Sequence, residues 1–148
     1  MNINEFLNNE KNRPFVLASM CADPLHHAHI NIINEAKKYG NVIIGLMTDE
    51  AMINYKREPL IKFENRYKVV KELRSVSNII PLENLNFSEI VNKYKIEFFV
   101  HGDDWKDGVQ SEHRKKLIKT MKSWGGKVID VAYTCLLYTS DAADDRMR

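Results

Sequence analysis

Short apolar runs alternate along the chain with stretches whose apolar residues recur every three or four positions. Residues 14–20 (PFVLASM), 41–48 (NVIIGLMT), 78–82, 97–102 (EFFVHG) and 127–133 (KVIDVAY) form the short runs. Near-continuous runs of this kind, rather than strict alternation, suit strands covered on both faces of a parallel sheet. Between them, Ile32, Ile33, Ala36 and Tyr39 share one helical face, with Lys37 and Lys38 turned outward and Gly40 as the stop. Phe63, Tyr67, Val70 and Leu73 predict a second helix. Phe87, Ile90, Val91 and Tyr94 predict a third, with Asn86 as its N-cap. A fourth carries Leu117, Ile118, Met121 and Trp124 opposite Lys115, Lys116, Lys119 and Lys122, and Gly125-Gly126 ends it. Strand–helix alternation with right-handed crossovers predicts an α/β fold: a Rossmann-like, doubly wound, five-stranded parallel sheet with helices on both faces. Ligands of such sheets lie beyond the carboxyl ends of the strands, where the strand order reverses. No internal repeat and no low-complexity linker interrupts the pattern.

Composition narrows the function classes. A chain of 148 residues fits one domain with a full core. With 22 Lys+Arg against 20 Asp+Glu the formal charge is +2, and no basic block forms a nucleic-acid footprint. Cys21 and Cys135 make neither a disulfide framework nor a metal knuckle, so a reducing cytoplasm is expected. The polar N-terminus MNINEFLNNEKNR lacks a signal-peptide core, and no apolar run approaches the roughly 20 residues that span a bilayer. The domain is expected over residues 1–134. Residues 135–148 have neither a helical stripe nor a strand partner; CLLYTSDAADD resembles a translated sequencing-adapter read-through, and the segment reads as foreign to the domain.

The candidate chemistry clusters at the ends of the apolar runs. The first run leads through Ser19-Met20-Cys21-Ala22-Asp23-Pro24-Leu25 into His26-His27-Ala28-His29 at a helix start. Three-residue spacing lets His26 and His29 converge on one side. Helix N-terminal amides suit a phosphate, and imidazoles beside them donate to phosphoryl oxygens as charge builds there. Taken alone, HxxH also reads as a pair of solvated caps, or as part of a zinc site that His101 or His113 would have to complete. Its place directly after the first strand favours the phosphate reading. At the fourth run, Gly102 allows a tight turn, Asp103 and Asp104 can accept from a ribose or base, and Trp105 can form an apolar wall; a plain Gly-Asp turn is the alternative. Thr48-Asp49-Glu50 reads equally well as a helix cap. Lys56 and Arg57 are loop cations that reach a polyphosphate or stay solvated. Arg66 is one charge on an otherwise apolar helix face, and it either snorkels or points into a site. Cys21 reads as a buried strand-end thiol rather than a nucleophile. No GxGxxG, GxxxxGK[ST], GxSxG or HExxH occurs, which removes the simplest dehydrogenase, P-loop, hydrolase and zincin readings.

Together, ADPLHHAH after the first strand, LMTDE after the second, FENRYKVV in a helix and VHGDDW after the fourth strand resemble the HxGH-motif nucleotidyltransferases. Within that superfamily the chain is similar to the cytidylyltransferases. These include glycerol-3-phosphate cytidylyltransferase and the cytidylyltransferase-like domain associated with phosphoenolpyruvate mutase in phosphonate biosynthesis. The resemblance runs from about residue 15 to 134 and includes GDDWKDGVQSEHR and SWGGKVIDVAYT. It implies in-line transfer of CMP from CTP to an acceptor oxygen, with release of pyrophosphate and with Mg²⁺ accompanying the CTP. The implied acceptor is a small phosphonate such as 2-aminoethylphosphonate or a hydroxyalkylphosphonate, with glycerol-3-phosphate or phosphocholine as the alternative. His26, His29 and Lys56 are the implied catalytic residues. Ser19, Met20, Cys21, Asp23 and Ala28 around the histidines, and Arg66 on its helix, are implied nucleotide contacts. So are Gly102, Asp103, Asp104 and Trp105 at the fourth strand and Tyr133 and Thr134 at the fifth. A homodimer is implied as well. Two features depart from the family pattern: Ala28 stands where the family has glycine, and Cys135 onward replaces a GISST-type phosphate-binding segment. A nucleotide-binding remnant with impaired turnover is therefore the alternative from outside the enzyme class.

Overall fold

The computed structural model describes residues 2–106, 108 and 110–132; Tyr133, Thr134 and the segment 135–148 lie outside the described residues. In chain order the elements are α1 (Ile3–Leu7), a 3-10 turn (Glu10–Asn12), β1 (Phe15–Met20), α2 (His27–Lys37), β2 (Asn41–Met47), α3 (Asp49–Tyr55) and α4 (Phe63–Lys71). There follow β3 (Val76–Leu82), α5 (Phe87–Tyr94), β4 (Phe98–Gly102), a second 3-10 turn (Asp103–Lys106), α6 (Ser111–Lys122) and β5 (Lys127–Val131). The strands form one 5-stranded sheet in the order β3-β2-β1-β4-β5, every pairing parallel. The order reverses between β1 and β4, which sets the ligand crevice at the carboxyl end of β1.

Alternate residues of each strand feed two cores, and this is why the apolar runs are continuous. Phe15, Leu17, Ile43 and Phe99 face Leu7 of α1, Val91 of α5 and Leu117 and Met121 of α6. Val16, Ala18, Val42, Ile44 and Val100 face Ile33 and Ala36 of α2 and Val70 of α4. The sheet is covered on both faces, as the pattern predicts.

Several local expectations change. The inward side of α4 carries Arg66, at 1% exposed, while Tyr67 is 36% exposed. At 100° per residue, positions 66 and 67 lie on opposite flanks of the face shared by 63 and 70, and it is the arginine's flank that turns inward. Ile118 of α6 is likewise 38% exposed and not part of the core stripe. Asn86 occupies the N-cap position of α5 but makes no side-chain cap bond, and its Oδ1 is buried without a partner. Thr48 is a true cap, its Oγ1 accepting from the Ala51 amide at 3.1 Å. α1, whose five residues are too short to show a period, escapes the pattern.

Gly40 serves a different purpose from the helix stop predicted for it. The chain there passes so close to β1 that Asn41 N–H donates to the Pro14 carbonyl at 3.0 Å, and a Cβ on Gly40 would collide with that carbonyl oxygen. Gly40→Ala is expected to cost about 1–3 kcal/mol through forced backbone displacement, read as a lower urea midpoint.

Candidate active site

His26 is extended (φ −148, ψ −175) and caps α2. Its Nδ1 accepts from the Ala28 amide at 3.2 Å, while Nδ1 of His29 accepts from the His26 amide at 3.1 Å. The two caps are reciprocal, and they bring the rings to 4.2 Å between centroids. An Nδ1 that accepts carries no proton, so in each neutral ring the proton sits on Nε2, directed away from the backbone it caps. Charge is disfavoured in both. Burial, then the neighbouring His26, Lys56 and His27, pushes His29 down to about 3, and burial with the His27 charge lowers His26. The result is a pair of neutral N–H donors at the positive end of a helix of 11 residues. The capping reading is realised on the Nδ1 atoms, and the Nε2–H of each ring is left directed away from the cap.

Lys56 closes α3, and its charge acts on His29, on the Cys21 thiol and on Asp104, which places it over the same crevice. Tyr55, beside it, accepts a 2.7 Å hydrogen bond from Gln110 Nε2, so the end of α3 is joined to the start of α6. Burial raises the Tyr55 phenol and the Cys21 thiol above their ordinary values, so both stay protonated near neutrality. Cys21 is thereby unsuited to nucleophilic work.

Two residues placed among the implied ligand contacts carry hydrogen bonds that build the crevice. Arg66 donates from Nε to the Ile61 carbonyl and from one terminal nitrogen to the carbonyls of Cys21 and Met47. Its other terminal nitrogen reaches Asp49 Oδ1, every distance being 2.8 Å. Asp23, 7% exposed, accepts from Arg57 at 2.7 Å and from the amides of Leu60 and Ile61 at 2.8 Å. Burial alone would raise its carboxyl; the Leu60 amide, the Arg57 guanidinium and the Ile61 amide outweigh it and hold it below the usual range. Asp23 thus ties the histidine turn to the segment that follows Lys56.

At β4, Gly102 is buried and Asp103 half-buried, and the Asp104 side chain is 60% exposed toward the crevice's solvent side. Trp105 does not form the expected wall: it is 1% exposed, its indole drawn into the core by a hydrogen bond to Asp130 and by stacking on Phe99. Met20 is also a core residue, packed on the α2 side; Ser19 is half-buried within β1, and Ala28 is buried at the α2 terminus. Tyr133 and Thr134 lie outside the described residues. The structure therefore brings together His26, His29, Lys56, Cys21 and Asp104. It adds Tyr55 and Gln110, for which the sequence offers no signal beyond adjacency to Lys56 and to the GDDW motif. For zinc, no group of His, Cys, Asp or Glu among the described residues is arranged to hold a metal ion.

The cytidylyltransferase-like family model matches residues 20–143. Mouse ethanolamine-phosphate cytidylyltransferase is 33% identical over 86 residues, covering 57% of this chain and 21% of that protein. Glycerol-3-phosphate cytidylyltransferase of Bacillus spizizenii is 33% identical over 87 residues, covering 57% of this chain and 67% of that protein. The chain thus spans 21% of the length of the first of these relatives. Among solved structures, a lipopolysaccharide core biosynthesis protein from Thermoplasma volcanium shares the fold, with a TM-score of 0.68 at 22% identity over 80% of this chain and 96% of that one.

Two outcomes follow from this geometry. Arg66→Met should destabilise the fold by about 3–5 kcal/mol in urea unfolding, because it strands Asp49 and the strand-end carbonyls without a donor. The second concerns pH. Because the folded-state pKa of His29 lies below its unfolded value of 6.5, its contribution is fully present above pH 6.5 and is lost as pH falls toward about 3. Urea midpoints should accordingly drop between pH 6.5 and 4.5, and His29→Gln should flatten that slope; an unchanged slope would contradict the neutral assignment.

Proposed function

The chain belongs to the cytidylyltransferase-like family, and on that premise we propose that it transfers CMP from CTP to an oxygen of a small phosphonate, such as 2-aminoethylphosphonate or a hydroxyalkylphosphonate, releasing pyrophosphate. The observation that carries the reading is the pair of neutral Nε2–H donors at the α2 terminus beside Lys56. An acceptor phosphonate or phosphate monoester is already anionic at neutral pH, so its attacking oxygen needs no general base. The new P–O bond forms at the α-phosphorus as the bond to the β-phosphate oxygen breaks, and the electron pair leaves with pyrophosphate. Such a displacement calls for in-line positioning and for neutralising the oxyanion charge that builds at phosphorus. His26 and His29 supply N–H donors, Lys56 a mobile positive charge, and the α2 terminus its dipole. Uncharged imidazoles suit this role, since the displacement needs hydrogen-bond donors at Nε2 and no proton transfer to or from either ring.

Magnesium belongs to the same reading as a companion of CTP. No donor cluster among the described residues is arranged as a metal cage, whereas Asp104 is a carboxylate beside Lys56 available to the hydrated ion of a triphosphate. There it would neutralise phosphate charge. Exposed Leu60 and Val69, at 74% and 50%, offer apolar surface for assembly as a homodimer. No helix among the described residues is long and apolar enough to cross a membrane.

Pyrophosphate release tests the proposal, with CTP or ATP, Mg²⁺ and a panel of phosphonates, glycerol-3-phosphate, phosphocholine and phosphoethanolamine. CTP-dependent release with a phosphonate is expected, and His26→Ala or His29→Ala should lower it by about 10²–10³. Faster release with a phosphoalcohol would replace the acceptor. Release from none of them, or indifference to both histidine variants, would overturn the reaction.

A further inference from the structure

The turn that carries Asp103 and Asp104 has a foundation of its own, on the side of β4 away from the histidines. It is a single four-residue 3-10 stretch, Asp103–Lys106, and so brief a turn takes its shape from whatever anchors it. The anchor is Trp105. Its indole lies 4.3 Å from the His101 ring at 17° and 5.3 Å from Phe99 at 23°, a stack that rises out of β4 itself. Stacking alone leaves the indole free to slide and turn in its plane. A polar contact removes that freedom: Nε1–H donates to Asp130 Oδ1 at 2.7 Å. Asp130 stands opposite His101 in the β4–β5 register. It is itself held at both oxygens, by Arg114 Nε at 3.1 Å on Oδ1 and by a terminal Arg114 nitrogen at 2.6 Å on Oδ2. The two side chains are 24% and 15% exposed, so the fork is sheltered and geometrically specific. An apolar residue at 130 would pack as well against the stack, but it could not select one orientation of the indole. The next residue along the turn on the crevice side is Asp104, within the field of Lys56.

We infer that Asp130, gripped by Arg114, is a positioning residue that sets the Asp103–Asp104 turn against the nucleotide through the indole of Trp105. The inference rests on the proposed function for the identity of that nucleotide. In that reading the turn meets CTP, with Asp104 beside the ion of its triphosphate, while the acceptor is handled elsewhere, so the effect of losing Asp130 is selective between the two substrates.

Asp130→Asn keeps the size and one acceptor but loses the ion pair. It is expected to raise KM for CTP by about tenfold while leaving KM for the acceptor within about twofold. Trp105→Phe keeps the stacked ring and loses the N–H; it should act in the same direction, and the double variant should be no worse than Asp130→Asn alone. Backbone hydrogen exchange gives a readout that needs no turnover. Amides of residues 103–106 should exchange about tenfold faster in Asp130→Asn, with those of α2 unchanged. Equal rises in both KM values, additive single effects, or a lower melting temperature with both KM values and the exchange at 103–106 unaltered would overturn the inference. If the unmodified chain neither binds nor turns over CTP, it is the proposed function that falls. The exchange comparison then decides alone: faster exchange at 103–106 upholds Asp130 as the residue that holds the turn, and unchanged exchange overturns it.

Discussion

The carboxyl ends of β1 and β2 present bare carbonyls toward a common point, and the guanidinium of Arg66 fills that point. Without a donor there, the carbonyls of Cys21 and Met47 would be buried polar groups lacking partners, or the strands would have to splay to let water in. An arginine suits the position because its planar fork donates in several directions at once from a fully buried place. Asp49 balances its charge, and the same Asp49 oxygen accepts from the Phe63 amide at 2.9 Å, so α4 is started by the anion that neutralises the residue one turn further along. Sheet, α3 and α4 thus meet at one ion pair, and the floor of the crevice is that meeting point.

From this floor the side chains of the candidate site are set by short local devices. Asp23 holds the chain after Lys56 against the turn before His26, so the segments bearing the lysine and the histidines are tied together. The histidines hold each other through the α2 backbone. Protonation at either Nδ1 would cost a helix cap as well as the desolvation of a charge, so the caps make the neutral state part of the fold. This links stability to chemistry directly: the hydrogen bonds that start α2 are those that aim the Nε2 protons.

What the sequence discloses follows the range of the physics involved. Strands covered on both faces announce themselves as unbroken apolar runs, and all five were legible, though not their order in the sheet, because period and burial are local properties. HxxH was legible because helix start and strand end are adjacent in the chain. The roles of Arg66, Asp23 and Trp105 were not. Each depends on partners far away in sequence: Arg66 on Cys21, Asp23 on Leu60, Trp105 on Asp130. A charged or aromatic residue in a motif looks alike whether it faces a ligand or supports the residue that does. Ala28 shows the same limit, since its buried methyl sits at the helix terminus and the backbone amide, not the side chain, makes the bond to His26.

The two walls of the crevice are fixed by different interactions, and that difference has a consequence for how the site can change. On the β1–β2 side a buried cation satisfies backbone carbonyls, an arrangement that tolerates almost no substitution because every lost bond strands an acceptor. On the β4–β5 side an aromatic stack is oriented by one ion pair between side chains, and both partners are replaceable without exposing backbone. The β1–β2 wall is therefore rigid in composition, while the wall bearing Asp103 and Asp104 can be re-aimed by changes at Arg114, Asp130 or Trp105.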